Sequence, residues 1–184
     1  MTEGLIQNQF MQIKVTLIAS DLRRIYRAIN KVNNCVKRES RDLPFRCAVD
    51  FRNLIILNIN SQKHMGQYAP YNERYADWKK KTTGGSNFWI LFGHLVNNLS
   101  VFPVGSKNAW MSGIPLGVKD QGGTSMFGGK GRSMLISVYG RWMEFGRRGQ
   151  PARALFAPTT EEYAQGGWKN RNEESTFFIR KSWS

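Results

Sequence analysis

The sequence predicts an α+β fold, in which helices pack on a mixed or antiparallel β-sheet that carries a long glycine-rich loop or arm. Two patterns predict it. Apolar residues recur at helical spacing through much of the first hundred residues, whereas short runs rich in β-branched residues lie near both ends and in the middle. The chain of 184 residues suits one domain, residues 10–184, preceded by a flexible arm of residues 1–9.

The first third of the chain predicts a strand followed by two helices. Residues 10–19 alternate in part and are rich in β-branched residues, which favours a strand. A helix follows from Ser20 to Val36, with its apolar residues at helical spacing. Residues 42–44 are typical of a new helix start, because proline is tolerated in a first turn. Residues 45–63 fit either period, but their length favours a helix.

The middle of the chain predicts two short helices and then strands. Tyr71, Tyr75 and Trp78 recur at helical spacing, which indicates a helix that ends at the glycine pair 84–85. Residues 88–99 have a second helical pattern. After Ser100, apolar residues are scattered among glycine, serine and asparagine, which favours short strands in a hairpin or meander.

The last third is organised around residues 138–163. Residues 120–133 hold five glycines and predict a mobile loop, and residues 134–138 predict a strand. A short helix then places Tyr139, Trp142 and Phe145 on one side. A second helix is expected to open at Pro158 and Thr159 and to end at the glycines 166–167. We expect a charged turn over 168–175 and a final strand over 176–180.

The charge balance indicates an anionic partner. Lysine and arginine number 27 against 13 acidic residues, for a net charge of +14. Part of this charge lies on one face of the first helix, whose members are Arg23, Arg24, Arg27, Lys31, Lys37 and Arg38. The face suits nucleic acid or an acidic protein surface equally well, and many charged faces are simply solvated.

The sequence gives no support for catalysis, a cofactor or a metal. The loop around Gly129 fails the phosphate-loop pattern, and neither histidine has a carboxylate or cysteine at ligand spacing. Cys35 and Cys47 are expected to be reduced apolar residues. With no signal peptide, and with residues 54–57 as the longest apolar run, we expect a soluble protein of a reducing compartment that has no membrane partner.

Residues 139–163 resemble the signature of the phage neck and tail-completion proteins, which are head–tail joining proteins of virion morphogenesis. In that signature an aromatic turn leads to Glu-(Phe/His)-Gly, a short loop, Pro-Ala-Arg-Pro-Phe and a helix near another proline. The matching residues here are Tyr139, Glu144, Phe145, Gly146, Pro151, Ala152, Arg153, Phe156 and Pro158. Ala154 stands where the family often has proline, and residues 120–133 have no counterpart. A second similar region contributes Tyr75, Trp78, Lys79, Gly93, Leu95 and Ser100.

The resemblance implies a structural virion protein that forms a homo-oligomeric ring at the head–tail junction. The ring, of six or twelve copies, would surround the DNA channel of a tailed bacteriophage and be assembled in the host cytoplasm. Its partners would be head-completion or connector proteins, tail terminator or tube proteins, and genomic DNA bound without sequence specificity. No catalytic residues come with the resemblance.

The resemblance also assigns surfaces. The subunit interface is expected at Tyr139, Trp142, Glu144, Phe145, Gly146, Pro151, Arg153 and Phe156, with Arg153 pairing with Glu144 or with an acid of the neighbour. The basic face of the first helix would look into the DNA channel. Two alternatives stay open. The aromatic residues Tyr139, Trp142 and Phe145 could fill the chain's own core, and the protein could be a small basic nucleic-acid-binding module that acts as a monomer or dimer.

Overall fold

The architecture is built on one long helix, α1 (Ala19–Ser61), of 43 residues. The computed structural model describes residues 19–64, 66, 68–85, 87–88, 93–105, 108–119, 135–147, 149 and 151–182. The predicted arm of residues 1–9, the loop 120–133 and nearly all of the predicted strand 10–19 lie outside these ranges. At 1.5 Å per residue, α1 is roughly 65 Å long, so only part of it can lie against the rest of a small domain.

Short elements follow α1 in chain order. They are α2 (Glu73–Thr83), α3 (His94–Asn97), β1 (Ser100–Pro103), β2 (Trp110–Gly113), α4 (Ile136–Phe145), α5 (Phe156–Glu162) and, after a π-helical turn over Tyr163–Gly167, α6 (Trp168–Lys181). The α+β class is confirmed, with mostly helical structure and a small antiparallel sheet. The sheet pairs β1 with β2, from Ser100 opposite Gly113 to Pro103 opposite Trp110.

The hydrophobic core lies between the second half of α1 and the shorter helices. Ile55 and Ile59 of α1 are at most 1% exposed, and they cluster with Leu95 of α3, Leu99 and Leu155. Burying each such side chain stabilises the fold by about 1.5–3 kcal/mol. The core therefore fixes α3, α4 and the start of α5 against one end of α1.

Helix α6 packs along α1 through polar groups. Arg171 forms ion pairs with Asp50 of α1 and with Glu174, and these carboxylates raise its pKa further. One turn later, the Ser175 hydroxyl donates to Glu39 at 2.9 Å. The expected turn over 168–175 and strand over 176–180 are wrong, because both segments belong to α6. Arg171 and Ser175, which contact α1, are four residues apart, as expected for one face of a helix.

Two expected helix boundaries are also wrong. Helix α1 continues through Pro44 without a break, so the expected new start at 42–44 is absent. The glycines at 166 and 167 lie in the π-helical turn that connects α5 to α6. A Cβ atom on Gly167 would lie 2.3 Å from Cε2 of Tyr163, so the glycine is needed to leave room for that ring.

The segment around α4 and α5 corrects three further expectations. Of the strand expected over 134–138, residue 134 lies outside the described residues, Leu135 makes an isolated bridge to Lys119, and residues 136–138 form the start of α4. Helix α5 begins at Phe156, before the expected start at Pro158. In the helix expected over 88–99, the helical residues that the structure describes are those of α3.

Candidate binding cleft

Glu144 joins the end of α4 to the start of α5. Its carboxylate accepts hydrogen bonds from the backbone N–H groups of Leu155, Phe156 and Ala157 at 2.7, 3.0 and 3.0 Å. The first N–H groups of a helix have no partner within the helix, and its positive dipole end favours an anion. With a side chain that is 9% exposed, Glu144 is an internal helix cap.

The loop between these helices is closed at its base by backbone contacts. Gly146 has a φ of 77°, a conformation that favours glycine, and it turns the chain away from α4. The chain returns at Arg153, whose backbone N–H donates to the Met143 carbonyl at 2.7 Å. Together with the Glu144 cap, this hydrogen bond sets the position of the Arg153 side chain.

Arg153 is buried without a carboxylate partner. Its guanidinium lies 4.5 Å from the centre of the Tyr71 ring, and its Nη2 donates to the Ala69 carbonyl at 3.1 Å. It is 4% exposed, and none of the ion pairs among the described residues includes it. Its Nε has no hydrogen-bond partner within the described part of the chain, which costs about 1–3 kcal/mol for a buried donor. The expected pairing of Arg153 with Glu144 is therefore absent.

A second buried cation, Lys79, lies on the same side of the molecule. Its Nζ donates to the Asn87 carbonyl and to the Tyr71 hydroxyl, the latter at 3.2 Å. Burial and, to a smaller extent, the positive charge of Arg153 together lower the pKa of Lys79 to about 8. Both cations adjoin the Tyr71 ring, which therefore lies in a strongly positive part of the interior.

Arg153 and Tyr71 line a concave site of about 650 Å³, the arginine–aromatic cleft. Its residues come from the segment before α2, from α2, from α4 and from the loop after α4: Pro70, Tyr71, Asn72, Arg74, Tyr75, Tyr139, Trp142, Met143, Arg147, Gly149, Pro151 and Arg153. Of these described lining residues, three are arginines and none is acidic. The volume lies in the range of sites that bind small molecules or single side chains.

The aromatic walls of the cleft are held by contacts with one another and with arginine. The Tyr71 and Tyr75 rings meet edge to face at 5.0 Å, and the Arg147 guanidinium lies 4.0 Å from the centre of the Trp142 ring. The hydroxyls of Tyr71, Tyr75 and Tyr139 are protonated at neutral pH, and burial raises their pKa, so they also stay protonated in more alkaline solution. The cleft therefore offers neutral hydroxyl groups and positive charge.

The residues expected at a subunit interface occupy different environments. Tyr139 and Trp142 line the cleft, and Phe156 packs partly against the core. Phe145 is 76% exposed, although it was expected on the same side as Tyr139. Gly146 and Pro151 lie at the ends of the exposed loop, while Glu144 and Arg153 are buried in the chain itself. The subunit interface itself stays a prediction.

The basic face of α1 is fully accessible. All six of its residues are exposed, and among them Arg38 lies 3.7 Å from Glu39. The neighbouring apolar stripe of α1 is also exposed, with Leu22, Ile25 and Ile29 at 48–50%. The sequence places these residues at helical spacing without deciding what covers them, because helical periodicity is the same whether a stripe packs within a chain or against a partner.

Sequence reasoning also missed the role of Lys79. In the sequence it begins the basic run Lys79–Lys81 at the end of α2, although it also lies four residues after Tyr75 and eight after Tyr71. That spacing places it on the aromatic face of the helix. Cys35 and Cys47, by contrast, are free and buried as expected.

Comparisons with known proteins give no assignment. No protein-family model matches the chain, and neither a curated protein nor a solved structure does so. Among the described residues, no helix is long and apolar enough to cross a membrane, and no cluster of three or more His, Cys, Asp or Glu could hold a metal ion.

Proposed function

We propose that this chain is a structural protein of a tailed-phage virion, which forms a ring at the head–tail junction around the DNA channel. The proposal rests on the resemblance of residues 139–163 to neck and tail-completion proteins. The physical roles of two residues in that stretch agree with a structural motif. Glu144 caps α5, and Arg153 closes the loop on Met143, so both stabilise one rigid unit.

The observation that carries the proposal is the exposed apolar stripe of α1. From Ala19 to Asn34 no residue of α1 is buried, yet Leu22, Ile25 and Ile29 repeat at helical spacing. Contiguous apolar surface of this kind marks protein–protein contact sites. A helix that extends from its own domain with such a stripe suits packing against a neighbouring copy.

A second surface supports contact between copies. Phe145, which is 76% exposed, borders a shallow depression of about 440 Å³. Ile114, Gly140 and Phe156 also line this depression. An exposed aromatic ring beside an apolar concavity is typical of an interface anchor. The stripe of α1 and this depression would serve as the two sides of a head-to-tail contact, which closes into a ring when the rotation permits.

The basic face of α1 suits a DNA channel. Its exposed cations are arranged along a helix with few acids, and phosphate contacts of this kind attract DNA without reading its sequence. The same face favours the second candidate function, a small basic nucleic-acid-binding module that acts as a monomer or dimer. The two candidates differ in the mass of the species that the chain forms.

A matched pair of variants separates the candidates by sedimentation velocity. Ile29→Asp adds a negative charge to the apolar stripe, and Asn30→Asp adds the same charge next to it at an exposed polar position. We expect large species for the wild type and for Asn30→Asp, and at least a tenfold weaker association for Ile29→Asp. The nucleic-acid-binding module would be favoured if the wild type binds duplex DNA and stays at 21.1 kDa across concentrations, even with connector or tail proteins present.

A further inference from the structure

We infer that the arginine–aromatic cleft binds an acidic side chain on an extended segment of a partner protein other than this chain. The inference rests on the proposed function as an assembly protein, and it names the chemistry of one partner. Among the described residues that line the cleft, three are arginines and none is acidic, and the nearby Lys79 is a further buried cation. A carboxylate is the simplest group that neutralises such a site.

The position of Arg153 indicates the shape of the ligand. This residue lines the cleft but is only 4% exposed, and its Nε is a buried donor without an acceptor. A ligand must therefore reach inward to contact it. An aspartate or glutamate side chain is slim enough to do so from an extended backbone, and a carboxylate can accept more than one guanidinium N–H.

The walls of the cleft favour a peptide over nucleic acid. Single-stranded nucleic acid binds by stacking its bases on open aromatic faces. Here the Arg147 guanidinium covers a face of Trp142 at 4.0 Å, and the Tyr71 ring lies between Arg153 and Tyr75. A phosphate group flanked by two sugars is bulkier than a carboxylate, and Arg153 is only 4% exposed. The hydroxyls and Asn72 instead suit the polar backbone of a peptide.

The charge of the chain favours a different protein over a second copy as the source of the acid. With 27 basic and 13 acidic residues, two copies repel each other unless other contacts compensate. Several of the acids are already used: Glu39, Asp50, Glu162 and Glu174 form ion pairs, and Glu144 caps α5. A partner with an acidic segment complements this surface.

The test measures binding of a short peptide to the purified chain by fluorescence anisotropy. The probe alternates glutamate with glycine and carries fluorescein, and glutamine replaces glutamate in its matched control. Arg147→Gln and Arg74→Gln each remove one exposed charge from the cleft, whereas Arg27→Gln removes one from α1. Circular dichroism verifies that each variant is folded. Arg153 itself is left intact, because it is buried.

We expect the cleft variants to weaken binding of the acidic peptide at least fivefold and Arg27→Gln to weaken it less than twofold. The glutamine peptide should bind at least tenfold more weakly than the acidic one. Equal losses for Arg27→Gln and Arg147→Gln would mean that net charge alone binds the probe, and would overturn the inference. The inference would also be overturned if the cleft variants weakened binding of an oligothymidylate of equal length but did not weaken binding of the acidic peptide.

The experiment does not depend on ring formation, because binding of the peptide in the cleft is measured whether or not the chain assembles. If the chain binds the peptide in the cleft but forms no ring, the proposed function is contradicted. The inference that the cleft binds an acidic side chain would still stand. If the cleft variants instead change the sedimentation of the chain alone, the occupant is a second copy, and the inference is wrong.

Discussion

Glu144 supplies a cap that the residues before α5 cannot supply. Leu155, at the N-cap position of α5, has no side-chain oxygen to accept a hydrogen bond, and Glu144 reaches the same N–H groups from α4. The carboxylate is therefore part of the fold, although its sequence surroundings of arginines suggested an ion pair. The sequence analysis names Glu144 among the residues that carry the family resemblance, but its partners are backbone groups, and no residue pattern reveals these.

Replacing Glu144 tests the cap. Glu144→Ala leaves three N–H groups at the start of α5 without their acceptor, so we expect the free energy of unfolding to fall by about 2–4 kcal/mol. Glu161→Ala removes an exposed carboxylate from α5 itself and should change stability by less than about 0.5 kcal/mol. Urea unfolding measures both, and equal losses would contradict the role of Glu144.

Lys79 makes stability depend on pH. Its pKa is about 8 in the folded chain, against an ordinary value of 10.5. Below about pH 8 both states hold the proton, and the cost of burying the charge is fully present. As pH rises from about 8 to 10.5, the folded state releases the proton while the unfolded chain keeps it, so stability rises.

A comparison with Lys79→Met isolates this effect. Between about pH 8 and pH 10 we expect the wild type to gain roughly 1–2 kcal/mol of unfolding free energy relative to the variant, because methionine does not titrate. Urea unfolding of both proteins over that range provides the measurement. A difference that stays constant with pH would show that Lys79 keeps its ordinary pKa in the folded chain.

At the scale of elements, contacts distant in sequence decide what local patterns leave open. The predicted helices at α2 and in the second half of α1 are present, because their periodicity matches the face that packs. Residues 176–180 favour a strand by composition, yet they form part of α6. The reason is the contact of Arg171 with Asp50 and of Ser175 with Glu39, across more than a hundred residues of sequence. Intrinsic propensity is weak beside such packing.

The glycine pair of the π-helical turn offers a matched test. A methyl group on Gly167 would meet the Tyr163 ring at 2.3 Å, whereas one on Gly166 meets nothing within 4 Å. Gly167→Ala should therefore lower the free energy of unfolding by about 1–3 kcal/mol, since the ring must move. Gly166→Ala should raise it by up to about 1 kcal/mol, because alanine favours a helix. Thermal unfolding with similar effects for both would contradict the close packing of Tyr163.

At the scale of the whole molecule, the surface is divided by chemistry. Arginine and lysine cover one face of the first half of α1, apolar side chains form the stripe beside it, and the arginine–aromatic cleft lies where α2 meets α4. The basic face was predictable from spacing alone. The cleft was not, since it joins residues 70–75 to residues 139–153 through the fold. This arrangement suits a protein with several partners.

The central claim is that the chain assembles into a ring around DNA, and electron microscopy of the purified protein with its connector or tail partners tests it most directly. We predict closed rings of uniform size, with a central opening wide enough for a DNA duplex and with the basic face of α1 toward the opening. Single chains or dimers under the same conditions, together with tight binding to free DNA, would contradict the claim.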